Sequence, residues 1–147
     1  EPRGGVRFPG PTGSFWSESG KRRAEMDLKE MLKPGGKGVF STASGSGIVN
    51  SAVYAVPHVV DKDMLAWGMI DGRTWSNIHE NPHASYAYFE PGEGYKGARL
   101  TLVLARTEDS GELLERIREG VRGKSPVDPA AIRHVAYFKV VESRPLA

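Results

Sequence analysis

Cysteine is absent from this chain of 147 residues. Its absence excludes disulfide bonds, catalysis by a thiol and zinc sites built on cysteine ligands. A chain without cysteine fits a reducing compartment, and no signal-peptide pattern is visible at its start. We therefore expect a cytoplasmic protein.

Neither a large charge of one sign nor a long hydrophobic run is present. The formal net charge is only +2, and the basic residues are scattered along the sequence. This balance argues against a nucleic-acid partner, which requires a concentrated basic surface. No apolar segment approaches the roughly 20 residues that cross a bilayer as a helix, so we expect no membrane partner.

Glycine and proline are frequent at the start of the chain. Residues 1–20 lack periodicity and are interrupted by several prolines and glycines, which predicts an irregular N-terminal arm. Phe15 and Trp16 make this arm too apolar for a solvated tail, so we expect it to pack on its own domain or on a partner subunit. Residues 21–147 suit a single domain with one core.

Hydrophobic periodicity predicts six strands and three helices after the arm. The strands are expected over 37–43, 48–60, 64–67, 84–90, 98–106 and 132–141. The helices are expected over 22–33, over 72–80 and behind Asp109, where Asp109 and Glu112 form a capping-box pattern. Strands dominate and Asp61-Lys62-Asp63 indicates a tight hairpin. The order indicates an antiparallel barrel with peripheral helices rather than a parallel α/β sheet.

A candidate anion site lies at the predicted start of the short helix. A phosphate binds where several donors converge on a helix N-terminus. Arg73 offers a forked cationic donor set, and Thr74 adds a hydroxyl and a backbone N–H. Asn50 and Ser51, on the preceding hairpin, are placed to close the other side. Asp71 either points inward, where it would repel a phosphate, or caps the helix through its carboxylate.

The run from Gly38 to Glu90 resembles the pyridoxamine 5′-phosphate oxidase-like family, and in particular its small bacterial FMN-binding proteins. The stretch "GMIDGRTWSNIHENPHASYAYFE" carries the basic residue followed by Thr and the Asn-x-x-x-Asn-Pro pattern. The likeness extends to about Leu146. It implies a mainly β (α+β) fold, namely a six-stranded antiparallel split β-barrel with flanking helices.

The resemblance also implies a cofactor and its binding residues. FMN is the expected cofactor, bound between the two subunits of a homodimer. The residues implied to hold it are Asn50, Ser51, Leu65, Ala66, Trp67, Arg73, Thr74 and Asn77. In this assignment the Arg-Thr pair holds the phosphate, and the stretch ending at Trp67 lines the isoalloxazine ring. No catalytic residue is identified.

A second motif matches His-Glu-x-x-His, the helix signature of zinc proteases, at His79 to His83. Two such histidines share a metal only on a continuous helix. Pro82 removes a helical N–H and clashes with the preceding turn, at a cost of about 3 kcal/mol. We therefore expect no metal site here.

Three functional hypotheses remain open. The first is an FMN-dependent oxidoreductase or electron carrier whose redox partner, a small molecule or a protein, is unknown. The second is a non-enzymatic module that binds flavin or haem. Haem would need an axial ligand from among four histidines, His58, His79, His83 and His134. The third is a barrel that has lost its cofactor.

Overall fold

The computed structural model describes residues 27–147. The predicted arm over 1–20, with Phe15 and Trp16, lies outside the described residues, as does the first part of the helix predicted over 22–33. The strands are β1 (Lys37–Ala43), β2 (Val49–Ala55), β3 (His58–Asp61), β4 (Met64–Ile70), β5 (His83–Phe89), β6 (Gly97–Glu108) and β7 (Ile132–Pro145). The helices are α1 (Leu28–Met31), α2 (Arg73–Glu80) and α3 (Glu112–Val121), with a 3-10 turn at Pro129–Ala131.

The strands form one antiparallel sheet in the order β2-β1-β5-β6-β7-β4-β3. The mainly β architecture with flanking helices is as predicted, but the described residues contain seven strands rather than six. The strand predicted over 48–60 is two strands, β2 and β3. Pro57 has no backbone N–H and restricts the backbone of Val56, so the ladder is interrupted there.

Side chains connect strands that are not neighbours in the sheet. The Nε1 of Trp67, on β4, donates to the carbonyl oxygen of Ala55, on the edge strand β2, at 3.2 Å. The hydroxyl of Tyr86 lies 3.0 Å from the carbonyl oxygens of both Tyr54 and Ala55. The two edge strands, β2 and β3, share no backbone ladder, so the barrel is split between them.

Aromatic residues fill the barrel interior. Phe40, Trp67, Tyr86 and Phe138 are each at most 3% exposed. The ring centroids of Phe40 and Trp67 are 4.8 Å apart at 84°, an edge-to-face geometry that aromatic pairs prefer. Alternation along the strands brings these side chains to the same face, so the interior forms one continuous core.

A second, smaller core lies on the outer face of the sheet. Helix α3 buries Leu114 and Ile117 against Ala66, Ile132 and Val135. The helix was predicted behind a capping box, but its N-cap is Gly111 and no side chain caps it. The capping prediction for Asp109 is therefore wrong, because its carboxylate binds His134 instead. None of the helices in residues 27–147 is long and apolar enough to span a membrane.

Candidate functional site

A cavity of about 590 Å³ opens at the split of the barrel. Its walls are β2, the outer face of β4, the start of α2, and the end of α3 with the loop that follows. The volume lies within the range of roughly 300–1,000 Å³ that small-molecule sites occupy. Six of the residues predicted to bind the cofactor line it, namely Asn50, Ser51, Ala66, Trp67, Arg73 and Thr74.

The start of α2 forms the polar end of the cavity. Thr74 is only 5% exposed, and its Oγ1 accepts a hydrogen bond from Nδ2 of Asn50 at 3.4 Å. Gly72 is the N-cap of α2 and supplies no side-chain acceptor to the amides of the first turn. The polar end of the cavity thus combines the first-turn amides of α2, the hydroxyl of Thr74 and the guanidinium of Arg73. This combination suits an anionic group.

Ser51 lies beside this polar end on β2. Its Oγ is 3.0 Å from the Oγ of Ser41, its register partner on β1. A hydroxyl paired to another hydroxyl keeps spare donor and acceptor capacity, so Ser51 is able to contact a ligand in the cavity as well.

Apolar side chains form the opposite wall. They come from β4, α3, the loop after α3 and the start of β7, and are Ile70, Ile117, Val121, Val127 and Ile132. None of them was predicted from the sequence to belong to the site. The amphipathic pattern of α3 shows which of its faces is apolar, but it does not show which strand that face covers.

Two predicted residues do not line the cavity. Leu65 is fully buried in the barrel interior, because alternation along β4 directs it to the face opposite Ala66. Asn77 is 5% exposed, and its Nδ2 donates to Oγ1 of Thr42 at 3.0 Å. That bond fastens α2 to β1. Trp67 borders the cavity, yet its indole belongs to the aromatic core.

Two titratable side chains on the cavity wall have shifted pKa values. Burial raises the pKa of the Tyr54 hydroxyl, and a hydrogen bond with Thr74 opposes part of that shift. Partial desolvation lowers the pKa of His58, and the nearby positive charge of Arg116 lowers it further. Both effects favour the neutral form of the His58 imidazole.

Asp71 follows neither of the two orientations considered from the sequence. It does not cap α2, whose N-cap is Gly72. Its Oδ1 lies 2.5 Å from Nε2 of His134, and its Oδ2 accepts from Nη1 of Arg133 at 3.1 Å. The hydrogen bond from His134, and then the charge of Arg133, lower the pKa of the Asp71 carboxyl.

The His-Glu-x-x-His match is not on one helix. Helix α2 ends at Glu80, and His83 begins strand β5. Nδ1 of His79 lies 2.7 Å from the carbonyl oxygen of Trp75. Within residues 27–147 no group of three histidine or acidic side chains is arranged to hold a metal ion.

No protein-family model matches the chain, and no curated protein is significantly similar to it in sequence. The fold does have solved counterparts. An FMN-binding protein from Syntrophomonas wolfei is 18% identical with a TM-score of 0.68, and the match covers 90% of this chain and 92% of that one. An F420 reductase is 18% identical with a TM-score of 0.58, over 78% of this chain and 94% of that one.

A haem-related protein shares the same architecture. HutZ, a haem storage protein from Vibrio cholerae, is 13% identical with a TM-score of 0.55, over 86% of this chain and 92% of that one. Identities this low establish the fold and not the ligand. The chain thus has the split-barrel fold of the FMN-binding, pyridoxamine 5′-phosphate oxidase-like proteins, as the sequence resemblance indicated.

Proposed function

We propose that this protein is an FMN-binding flavoprotein that acts as an oxidoreductase or electron carrier. The observation that carries the proposal is the convergence of six residues, chosen from sequence alone, on one cavity of about 590 Å³. The FMN-binding protein from Syntrophomonas wolfei, which has the same fold, supports the choice of ligand.

The two ends of the cavity match the two ends of FMN. Arg73, Thr74 and the first amides of α2 would hold the phosphate, with Asn50 and Ser51 on its other side. The apolar wall formed by Ile117 and Val121 would exclude water from the ring.

The chain's own residues act by binding and orientation. When bound, the flavin supplies hydride or electron transfer, and the protein positions it and adjusts its potential. Its redox partner is a small molecule or another protein. His58 is the histidine that lines the cavity, and its neutral imidazole is available to hydrogen-bond a ligand.

A homodimer is part of the proposal. Strand β2 is a sheet edge. Val49 and Val53 on this strand are 69% and 71% exposed, and Ile48, just before it, is 67% exposed. Exposed apolar side chains on an edge strand favour a protein partner. A second copy on β2 would cover the open side of the cavity. Light scattering on the purified protein is expected to give twice the chain mass, and a monomer would contradict this part of the proposal.

Haem binding is the second candidate, and the likeness to HutZ favours it. Among the four histidines, His58 lines the cavity, whereas both ring nitrogens of His134 contact carboxylates. His58 would therefore be the axial ligand. A Soret band that His58→Ala abolishes would favour haem over flavin.

The phosphate assignment is tested at Arg73. We expect Arg73→Ala to weaken FMN binding by about 1.5–3 kcal/mol, the range for a hydrogen bond to a charged group. Riboflavin lacks the phosphate, so its affinity should be unchanged. Titration of flavin fluorescence measures both affinities. Arg73→Lys is the matched control, because lysine keeps the positive charge and lacks the forked guanidinium donors. Equal losses for the two flavins would contradict the assignment.

A further inference from the structure

His134 lies between two carboxylates at the start of β7. Its Nδ1 is 2.8 Å from Oδ1 of Asp109, and its Nε2 is 2.5 Å from Oδ1 of Asp71. The side chain is only 12% exposed. A carboxylate oxygen accepts and does not donate, so both contacts are satisfied only when both ring nitrogens carry a proton.

The ring of His134 is also fixed by stacking. It lies 3.8 Å from the ring of Trp75, with 6° between the two planes. Trp75 belongs to the first turn of α2, so the stack joins that turn to β7. Asp71 therefore has one carboxylate oxygen on His134 and the other on Arg133, both side chains of β7.

Asp71 immediately precedes the N-cap of α2, and Arg73 follows two residues later. A carboxylate that turned away from His134 at this position would be able to reach the first-turn amides of α2 and the guanidinium of Arg73. It would occupy the donors that the proposed phosphate requires, and its charge would repel the phosphate.

We propose that His134 is a positioning residue for the anion site: by binding Asp71 it keeps that carboxylate off the start of α2 and fixes the turn that presents Arg73. We call this pair the Asp71–His134 latch. The inference rests on the proposed function, because it concerns the same phosphate end of the cavity.

The test is a double-mutant cycle read by FMN and riboflavin titration of the full chain. We expect His134→Gln to weaken FMN binding about tenfold, the effect of one partly screened charge near the phosphate. Riboflavin affinity should stay unchanged. Asp71→Asn in the same chain should restore FMN affinity to nearly its original value, because the carboxylate that interferes is gone. Asp109→Ala is the matched control, since it removes the other contact of His134 and leaves Asp71 paired.

The outcomes separate the latch from the proposed function. If His134→Gln leaves FMN affinity unchanged, or if the double variant stays as weak as the single one, the latch is wrong and the FMN site stands. If His134 only supports the fold, the double variant will stay as weak as the single one, and riboflavin binding will be weakened as well. If the unaltered protein binds neither flavin, the proposed function and the latch are both wrong.

Discussion

The two faces of strand β4 differ in what they contact. Leu65, Trp67 and Met69 point into the barrel and are at most 3% exposed. Ala66 and Gly68 lie on the outer face, beneath α3 and beside the cavity. In the middle of the strand the inner residues are large and the outer ones, Ala66 and Gly68, are small, so the same seven-residue strand closes the core on one side and leaves room on the other.

The inner face of β4 therefore contributes mainly to stability, and the outer face mainly to the shape of the cavity. The inner face gains its energy from close packing, so any loss of volume there leaves a void. Small residues on the outer face cost little stability, because they allow α3 and a ligand to approach the strand. Changes on the inner face should therefore unfold the protein, and changes on the outer face should alter the cavity first.

The largest effect is expected on the inner face. Trp67→Ala removes an indole packed against Phe40, Tyr86 and Phe138 and should lower the free energy of unfolding by about 3–5 kcal/mol. Urea denaturation followed by circular dichroism measures the change. Trp67→Phe keeps a ring in place and should cost clearly less. A loss below 1 kcal/mol for Trp67→Ala would show that the indole is not part of the core.

A smaller effect is expected on the outer face at Gly68. A Cβ at this position would lie 2.7 Å from Cγ2 of Ile117 and 2.8 Å from Cγ2 of Ile132. Gly68→Val should displace α3, lower the free energy of unfolding by about 1–3 kcal/mol and weaken flavin binding. Ile117→Ala in the same chain should recover part of both losses, because it removes the atoms that clash. Unaltered binding in Gly68→Val would place the ligand away from β4.

The smallest effect is a pH dependence at His58, which pairs with Ala66 across β3 and β4. Its pKa is lowered in the folded protein, so the unfolded chain binds a proton more readily. Stability contributed by the neutral form is present above about pH 6.5, the ordinary histidine value, and is lost as the pH falls below it. The melting temperature of the protein should therefore fall, relative to that of His58→Gln, as the pH is lowered from 7 to 5. Parallel curves would contradict the shift.

Most of the fold could be predicted from local sequence signals. Strand β1 was predicted with its observed bounds, because Gly35-Gly36 and Ser44-Gly45 punctuate a short alternating run. The break at Pro57 was missed because β-branched residues continue on both sides of it. At Asp109 the capping pattern was misleading, since a histidine 25 residues away is a stronger partner for the carboxylate than its own helix.

The polar end of the cavity was more predictable than the rest of it. Arg73 and Thr74 are adjacent in sequence at a helix start, so a local pattern identifies them. Ile117 and Val127 reach the cavity only because α3 packs over β4, and that depends on the tertiary arrangement. The pairing of Asp71 with His134, 63 residues apart in the sequence, is likewise a product of the fold.

The central claim is that the cavity at the split of the barrel holds FMN. The most direct test is a visible absorption spectrum of the purified protein, recorded before and after FMN is added, with any bound flavin identified after release by heat. We expect the two visible absorption bands of an oxidised flavin, which belong to the cofactor itself. Absence of these bands, together with no quenching of added FMN, would contradict it, and a Soret band in their place would favour haem.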